Sequence, residues 1–352
     1  MESESANPIL VDVFRGSRVE SCHRGAIAVS DAQGRLVLAL GDVARPIYPR
    51  SAVKALQAIP LVETGAADAF DLTAGELAVA CGSHSGERVH LDAVESLLTK
   101  TGLGERDLAC GAHWPLSEAT TRTLLRGGRR PRPIHNNCSG KHAGMLAVAV
   151  HLGLDPHGYE KPDHPLQIMI GRILSETCGV TLDPASMGID GCSLPTFALP
   201  LSALAQGFAR FGTGTRLTPE RGRATQALMR ACFAAPVLVA GDGRFDTIAL
   251  RGLGPSAFTK GGAEGVHCAA LPELGLGLAL KIDDGAKRGA ERALSEVLAT
   301  LLPKARSVLA SELRGELRNW QGLLVGRMAA GDALQDALGG LTHATQAGAA
   351  PR

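Results

Sequence analysis

Two serines and two lysines are spaced as a nucleophile and its base would be. Ser51 precedes Lys54 by three residues, so on a helix the two side chains share one face and the amine can reach the hydroxyl. Ser83 opens a Ser-His-Ser run, and Lys260 opens a Lys-Gly-Gly turn far downstream. Acyl-transferring serine hydrolases with a Ser-x-x-Lys nucleophile present these groups in the same order. The pattern therefore predicts an amide hydrolase.

The chain keeps few lysines and fills most of its basic positions with arginine. Only 8 of its 36 basic residues are lysines, and the other 28 are arginines. An ammonium can lose its proton when buried whereas a guanidinium cannot, so the retained lysines are candidates for chemistry. Burial, a helix N-terminus or the second cation Lys260 would lower the pKa of Lys54 and make it a base. The backbone N–H groups of Ser51 and Ala263 are the predicted oxyanion hole.

The surroundings of Ser51 strengthen a motif that is weak by itself, since a Ser-x-x-Lys can arise by chance. Residues 25–41 alternate apolar and polar around a turn at 31–34, which predicts a β-hairpin. Pro49 follows the hairpin and precedes a helix-friendly run, which places Ser51 at or inside a helix N-terminus.

The order of predicted elements indicates an α+β fold. We expect an antiparallel sheet built from both chain ends, with flanking helices and a mainly helical lobe between them. The predicted organisation is one two-lobed catalytic domain, with a sheet lobe at about 8–60 and 240–340 and a helical lobe at about 61–239. Strands are predicted at 245–251, 263–270 and 275–282, and an amphipathic helix at 286–301. Residues 60–240 are predicted to be mostly helical or loop, with apolar runs at 88–99, 142–154, 165–177, 200–211 and 222–233.

Composition limits the classes of partner. The 352 residues are 45% hydrophobic and 20% charged, and the formal net charge is +1 without a block of like charge. Neither nucleic acid nor an anionic membrane is therefore an expected partner, and a small molecule is. Eight dispersed cysteines and an acidic N-terminus without an apolar core predict a reduced, cytoplasmic protein. The sequence contains no apolar run of transmembrane length.

Two further loops carry chemically capable side chains. One runs from His135 to Met145 and contains Cys138, Lys141 and His142, and the other runs from Gly188 to Pro195 and contains Asp190 and Cys192. A free cysteine is commonly a buried small apolar residue, and that interpretation stays open for both thiols. Their positions in polar, glycine-flanked turns favour a functional one.

Taken together, the motifs resemble those of the rhizobial-type (class 3) L-asparaginases over roughly residues 20 to 335. The resemblance implies a fold related to serine β-lactamases and glutaminases, a homodimer, and hydrolysis of L-asparagine to L-aspartate and ammonia. The segments that carry it are Ser51–Lys54, Cys81–Ser85, Asn137–His142, Asp163–Pro165, Asp190–Cys192 and Lys260–Gly265.

The resemblance also implies a role for each matched residue. Ser51 with Lys54, and Ser83 with Lys260, would form the two Ser-Lys pairs. Substrate binding or support of the site would fall to Arg50, His142 and Asp190. A zinc ion would be held by Cys138, Lys141 and Cys192. Thiolates are good zinc ligands, but a lysine amine must lose its proton to coordinate, which implies modest, pH-dependent affinity.

Several alternatives remain open at this point. Cys138 and Lys141 can instead be hydrogen-bonding residues of the pocket, with any metal adventitious. The three-part Ser/Lys pattern also occurs in glutaminases and penicillin-recognising hydrolases. A non-catalytic zinc or thiol sensor that switches through Cys138 and Cys192 is the remaining class. It leaves the Ser and Lys pairs without a role.

Overall fold

The computed structural model describes residues 6–346, with side chains described as far as Leu341. The acidic N-terminus used above to predict location lies outside these residues. The chain divides into two compact units. The sheet unit comprises the chain up to Ala52, Leu199–Ala209 and the chain from Gly252 onward, and the helical unit comprises Val53–Ala198 and Arg210–Arg251. The single two-lobed domain stays a prediction.

The strands of the described residues fall at both ends of the chain and around position 190. They are β1 (Ile9–Arg15), β2 (Arg18–Asp31), β3 (Leu36–Leu40), β4 (Pro46–Ile47), β5 (Met187–Ile189), β6 (Pro195–Phe197), β7 (Leu199–Pro200), β8 (Phe258–Gly261), β9 (Val266–Leu271), β10 (Leu276–Ile282), β11 (Glu316–Arg318) and β12 (Leu324–Ala330).

The main sheet joins the N-terminal and C-terminal strands. Its order is β11-β12-β1-β2-β10-β9-β8, β3 pairs with β2, and every pairing is antiparallel. The predicted α+β class, with an antiparallel sheet assembled from both chain ends, is therefore confirmed. The predicted hairpin is also confirmed, as β2 and β3 pair across the turn at residue 34. Strands β9 and β10 confirm the predictions at 263–270 and 275–282.

A helix packs closely against the centre of the sheet because β10 has a glycine, Gly277, at the contact. A Cβ at Gly277 would lie 2.1 Å from the Ala205 oxygen and 2.2 Å from the Ala209 nitrogen. Only glycine allows this approach. Strand β9 is buried along its whole length and β10 nearly so, as in a strand covered on both faces. Lys281, near the end of β10, is the charged residue of this apolar strand.

The helix predicted at 286–301 is confirmed, and helices cover most of each apolar run at 88–99, 142–154, 165–177, 200–211 and 222–233. They are α1 (Lys54–Gln57), α2 (Ile59–Glu63), α3 (Ala66–Ala69), α4 (Ala74–Ala80), α5 (Arg88–Lys100), α6 (Glu118–Arg126), α7 (Ser139–His151), α8 (Pro165–Cys178), α9 (Leu201–Thr213), α10 (Pro219–Ala234), α11 (Pro236–Val239), α12 (Phe245–Leu253), α13 (Lys287–Leu301), α14 (Ala305–Val308), α15 (Ala310–Arg314) and α16 (Asp332–Gln346).

Helix α7 is the central helix of the helical unit. It is buried on nearly every side, as expected for a helix that is apolar around its circumference. A Cβ at Gly140 would lie 2.4 Å from the Val79 oxygen, and one at Gly144 would lie 3.0 Å from the Ala80 Cβ. These glycines let α4 and α7 pack closely. Their packing brings the loop after α4, which carries Ser83, next to the N-terminus of α7.

The strand predicted at 245–251 is wrong, because Phe245–Leu253 forms helix α12. Its buried residues Phe245, Ala249 and Leu253 recur every four positions, which is a helical period. A short apolar run does not distinguish a strand from a buried helix, and the sequence prediction failed for this reason. Across the described residues, no helix combines the length and apolar character needed to span a bilayer.

Candidate active site

Ser51 lies in a tight turn of the sheet unit. The segment Arg50–Val53 forms a 3₁₀ helix, α1 begins only at Lys54, and the Ala52 N–H donates to the Pro49 oxygen at 3.1 Å. Arg50 has a φ of 52°, an uncommon conformation for a residue other than glycine. Strained residues of this kind cluster at functional sites.

A glycine brings the Ser51 turn against the loop that follows β8. A Cβ at Gly262 would lie 2.9 Å from the Pro49 oxygen and 3.1 Å from the Ala52 nitrogen. The loop can therefore approach the turn only because residue 262 has no side chain. The two predicted oxyanion donors, the N–H groups of Ser51 and Ala263, belong to these adjoining segments.

Lys281 stabilises the same loop through hydrogen bonds. The sequence pattern assigned no role to this residue. Its Nζ donates to the Glu264 oxygen at 2.7 Å and to the Ile282 oxygen at 2.5 Å, and the Ile282 N–H donates to the Gly265 oxygen at 2.9 Å. Burial lowers the pKa of Lys281, although nearby carboxylates oppose the shift. Glu264, which Lys281 holds, has a φ of 57°. The signal that could have identified Lys281 is a lysine kept in an arginine-rich chain.

A cavity of about 440 Å³ lies beside this turn within the sheet unit. Its wall carries the cations Arg45, Arg50 and Lys281 together with the carboxylates Asp42, Glu264 and Asp283. Such a wall offers partners of both signs to a small zwitterion.

Lys260, on β8, is fully buried, and its Nζ donates to the Gly261 oxygen at 2.7 Å. The predicted partner Ser83 belongs to the helical unit, as does Lys54, the predicted partner of Ser51. Both Ser-Lys pairings therefore stay predictions.

The helical unit brings together four of the predicted site residues in one buried cluster. Lys54 is fully buried, and its Nζ donates to the Asn137 oxygen at 3.1 Å. The Lys141 Nζ contacts the Cys192 Sγ at 3.2 Å. Cys138 and Cys192 are both buried and share a hydrogen bond. We call Lys54, Cys138, Lys141 and Cys192 the amine-thiol cluster.

The two thiols of the cluster have opposite protonation preferences. The hydrogen bond from Cys192, reinforced by Lys54 and Lys141, holds the pKa of Cys138 well below its ordinary value despite burial. The same hydrogen bond, together with burial, raises the pKa of Cys192. One thiolate and one thiol therefore share a proton, as coupled acids do.

The two lysines of the cluster also have pKa values shifted in opposite directions. Burial lowers the pKa of Lys54, and the charge of Lys141 adds to this effect while Cys138 opposes it. For Lys141 burial also acts downward, but the Cys138 thiolate, then Cys192 and Asp190, raise its pKa above the ordinary lysine value. Lys141 is thus the charged lysine, and Lys54 is the one that more readily supplies a neutral amine. Opposed pKa shifts in one pocket are typical of acid and base assignments.

His142 is fully buried beside the cluster with one ring nitrogen unsatisfied. The Ala109 N–H donates to the Tyr159 hydroxyl at 3.0 Å, and burial raises the pKa of that phenol, so Tyr159 donates to His142 Nδ1 at 2.5 Å. Nε2 then carries the proton, and it has no hydrogen-bond partner among the described residues. A buried donor left in this state costs about 1 to 3 kcal/mol, which favours a ligand there. The sequence reasoning missed Tyr159.

Ser83 is buried in the same unit and held by backbone hydrogen bonds. Its N–H donates to the Val239 oxygen at 2.8 Å, and its own carbonyl accepts a short hydrogen bond from Arg244. The neighbouring His84 accepts from the Gly86 N–H at Nδ1 and contacts the Ser139 hydroxyl at 2.8 Å through Nε2. Burial holds the pKa of His84 well below its ordinary value, so this neutral histidine links the Ser83 loop to α7.

The β5–β6 hairpin presents Asp190 and Cys192. The Asp190 N–H donates to the Leu194 oxygen at 2.8 Å, and the Asp190 Oδ1 accepts from the Gly191 N–H at 2.8 Å. Ser193 adopts a φ of 73° at the turn. The hairpin therefore fixes the thiol against Lys141 while the carboxylate contributes negative potential to the same amine.

Comparison with known families identifies the family of the chain. The sequence profile described as L-asparaginase II matches residues 11–330. The chain belongs to the L-asparaginase II family. This L-asparaginase II chain has no matching relative among curated proteins.

Three solved structures similar to this family member have low sequence identity. Mglu in its native form is 16% identical with a TM-score of 0.43, covering 82% of this chain, which spans 64% of Mglu. The simvastatin synthase LovD of Aspergillus terreus, as the LovD6 mutant, is 15% identical with a TM-score of 0.40. The match covers 77% of this chain and 90% of LovD. A β-lactamase from Mycobacterium bovis is 16% identical with a TM-score of 0.34. The match covers 82% of this chain and 94% of the β-lactamase.

The two sulfurs of the amine-thiol cluster suit zinc, and Cys138 already favours the thiolate. Lys141 contacts the Cys192 sulfur but holds its proton, so it would have to lose that proton to add a nitrogen ligand. Among the described residues no group of three or more His, Cys, Asp or Glu side chains could hold a metal ion. The predicted set contains only two such residues, so that finding does not bear on it.

Proposed function

We propose that this amidohydrolase of the L-asparaginase II family hydrolyses L-asparagine to L-aspartate and ammonia through a serine acyl-enzyme. The observation that carries the proposal is the buried amine-thiol cluster, in which Lys54 and Lys141 have pKa values shifted in opposite directions. It supplies a lysine suited to act as a base inside a chain whose family is L-asparaginase II.

In the proposed mechanism, Lys54 accepts the proton of the Ser51 hydroxyl, and the serine oxygen attacks the side-chain amide carbon. The N–H groups of Ser51 and Ala263 stabilise the oxyanion, and the close approach at Gly262 supports their placement. Ser83 and Lys260 relay that proton from Lys54 to the departing nitrogen, which leaves as ammonia and returns Lys54 to its neutral form. Lys54 then accepts a proton from water, the resulting hydroxide attacks the ester, and the proton passes back to the Ser51 oxygen as aspartate leaves.

Substrate recognition would rest on charge-assisted contacts. We assign the α-carboxylate of the substrate to Arg50 and the α-ammonium to Asp190. The cavity beside Arg50, with walls of both charge signs, supports binding of an amino acid. The unsatisfied Nε2 proton of His142 would donate to an oxygen of the substrate.

Zinc would be held by Cys138, Lys141 and Cys192, and its binding would displace the protons of Lys141 and Cys192. A bound zinc ion would act as a Lewis acid that polarises a substrate oxygen. The proton transfers above are made by serine and lysine side chains, so the proposed chemistry does not depend on the metal.

We predict that protein purified without added zinc contains close to one zinc per chain and that Cys192→Ala loses most of it. The substitution removes one of two sulfur ligands, and loss of a ligand sharply weakens zinc binding. Elemental analysis of both proteins measures this directly. The matched control is Cys178→Ala, which alters a buried thiol on α8 away from the cluster. Zinc that is missing from the unmodified protein, or that remains in Cys192→Ala, contradicts the assignment.

The main alternative within the family's chemistry is a glutaminase or a penicillin-recognising hydrolase. We predict that kcat/KM for L-asparagine exceeds that for L-glutamine by about 10- to 200-fold, the discrimination that one methylene provides. Ammonia release from both substrates, with a chromogenic lactam as a third, measures it. A preference for glutamine or the lactam would overturn the substrate assignment.

A zinc or thiol sensor without catalysis is the alternative from another class. It predicts that metal or oxidant changes binding to a partner and that no amide is cleaved. The Ser-Lys motifs and family membership favour the enzyme. We also propose that the protein is a cytoplasmic homodimer, which native mass measurement and cell fractionation would test.

A further inference from the structure

A groove of about 710 Å³ on the helical unit is lined by arginines and contains no carboxylate among its described lining residues. The side chains of Arg88, Arg129, Arg130 and Arg132 line it, together with His135. The whole chain has 36 basic and 35 acidic residues, so this one-sided lining departs from the chain's average composition. None of these residues belongs to the proposed mechanism.

The way helix α6 ends determines where Arg129 and Arg130 lie. The Gly128 N–H donates to the Leu125 oxygen at 3.0 Å, and the Arg129 N–H donates to the Leu124 oxygen at 2.9 Å. Gly128 has a φ of 61°, so these bonds form the glycine-dependent motif that ends many helices. The chain therefore turns back at the end of α6 and returns Arg129 and Arg130 along the groove.

The guanidinium groups of the groove are available to a ligand. Within the part of the chain that the structure describes, Arg129 and Arg130 form no ion pair. Arg88 pairs with Asp92 at 2.7 Å and Arg132 pairs with Glu105 at 3.2 Å, and in both pairs the arginine is mostly exposed. Exposed pairs of this kind contribute little to stability, so a multiply charged anion can compete for them.

The remaining lining of the groove is mostly apolar. Leu91 of α5 and Ala119 and Leu124 of α6, which we call its apolar floor, line it together with Thr120 and Thr123. A ligand that fits must therefore combine several negative charges with a flat or apolar part. Guanidinium groups bind phosphate through two parallel hydrogen bonds and also stack on aromatic rings, so they suit both parts.

We propose that this groove binds a nucleoside di- or triphosphate, with the phosphates on the arginines and the base over the apolar floor. The near-neutral net charge argues against a long nucleic acid, whereas a small nucleotide needs only the local charge of the groove. The binding site stands apart from the hydrolase proposal, because no residue of the groove is assigned to catalysis.

The test is calorimetric titration of the full chain with ATP, pyrophosphate and adenosine at fixed ionic strength. We expect saturable binding of one ATP per chain, weaker binding of pyrophosphate and no detectable binding of adenosine. Replacing Arg129 and Arg130 together by Ala should weaken ATP binding by about tenfold or more, since two charge-assisted contacts are lost. Arg126→Ala is the matched control on the same helix, outside the groove.

Each possible outcome bears on the proposal. Circular dichroism and thermal unfolding establish that the variants are folded, so a loss of binding reports the site. Failure of the unmodified chain to saturate with ATP, or an equal loss in Arg126→Ala, overturns the site. Pyrophosphate that binds as tightly as ATP overturns the nucleotide assignment. Neither result depends on whether the chain hydrolyses asparagine.

Discussion

Ser51→Ala is expected to reduce ammonia release from L-asparagine by about 10⁴-fold or more, as removal of a catalytic serine does in other hydrolases. The change removes the hydroxyl that we propose attacks the amide carbon. The folded state should be unaffected, because the turn at Ser51 is fixed by backbone contacts of Pro49, Ala52 and Gly262. Steady-state ammonia assays and a thermal unfolding curve of the variant measure both effects.

Ser256→Ala is a suitable control, since it removes a hydroxyl of the same unit that donates a hydrogen bond to the Glu273 carboxylate at 3.2 Å. It should leave turnover unchanged. Mass spectrometry of the unmodified enzyme quenched during turnover should locate an added aspartyl group on the peptide that contains Ser51. If Ser51→Ala retains turnover and the aspartyl group is found on Ser83, then the two serines have exchanged roles.

The sequence pattern predicted strands β2, β3, β9 and β10 of the main sheet, but not β1, β8, β11 or β12. Strands β9 and β10 are apolar, of strand length and separated by a Pro-Glu-Leu-Gly turn, so pattern and turn residues agreed. The pairing of β10 with β2, about 250 residues earlier, followed from the expectation that strands from both ends share one sheet. The segment at 245–251 shows the limit, because a short apolar run carries too little periodicity to separate helix from strand.

Site chemistry was partly predictable. The motif showed that Lys54 was a candidate base, but its lowered pKa depends on burial and on the charge of Lys141, more than 80 positions away. Tyr159, which sets the tautomer of His142, stands outside every motif. In the sequence, Lys281 stood out only as a lysine in an arginine-rich chain. Its hydrogen bond to the Glu264 oxygen could be identified only from the structure. Short sequence motifs identify which side chains are reactive, whereas contacts between residues far apart in the sequence determine their protonation.

Replacing Lys54 should be the second most damaging change. Lys54→Met is expected to lower kcat/KM by about 10² to 10⁴-fold, the contribution of a general base. Lys54→Arg should be equally inactive, since a guanidinium keeps the charge but cannot accept the serine proton. Ammonia assays on both variants provide the comparison, and Lys304→Arg, at an exposed position, controls for the exchange of lysine for arginine.

The pH profile distinguishes a base from a fixed cation. A base works as the neutral amine, so activity should rise with pH as Lys54 loses its proton and then level off. Because burial lowers the pKa of Lys54, the rise should be complete below the pH at which an ordinary lysine deprotonates. Lys54→Arg with substantial activity, or a rate that falls as pH increases through this range, would show that residue 54 supplies charge and that the proton acceptor lies elsewhere.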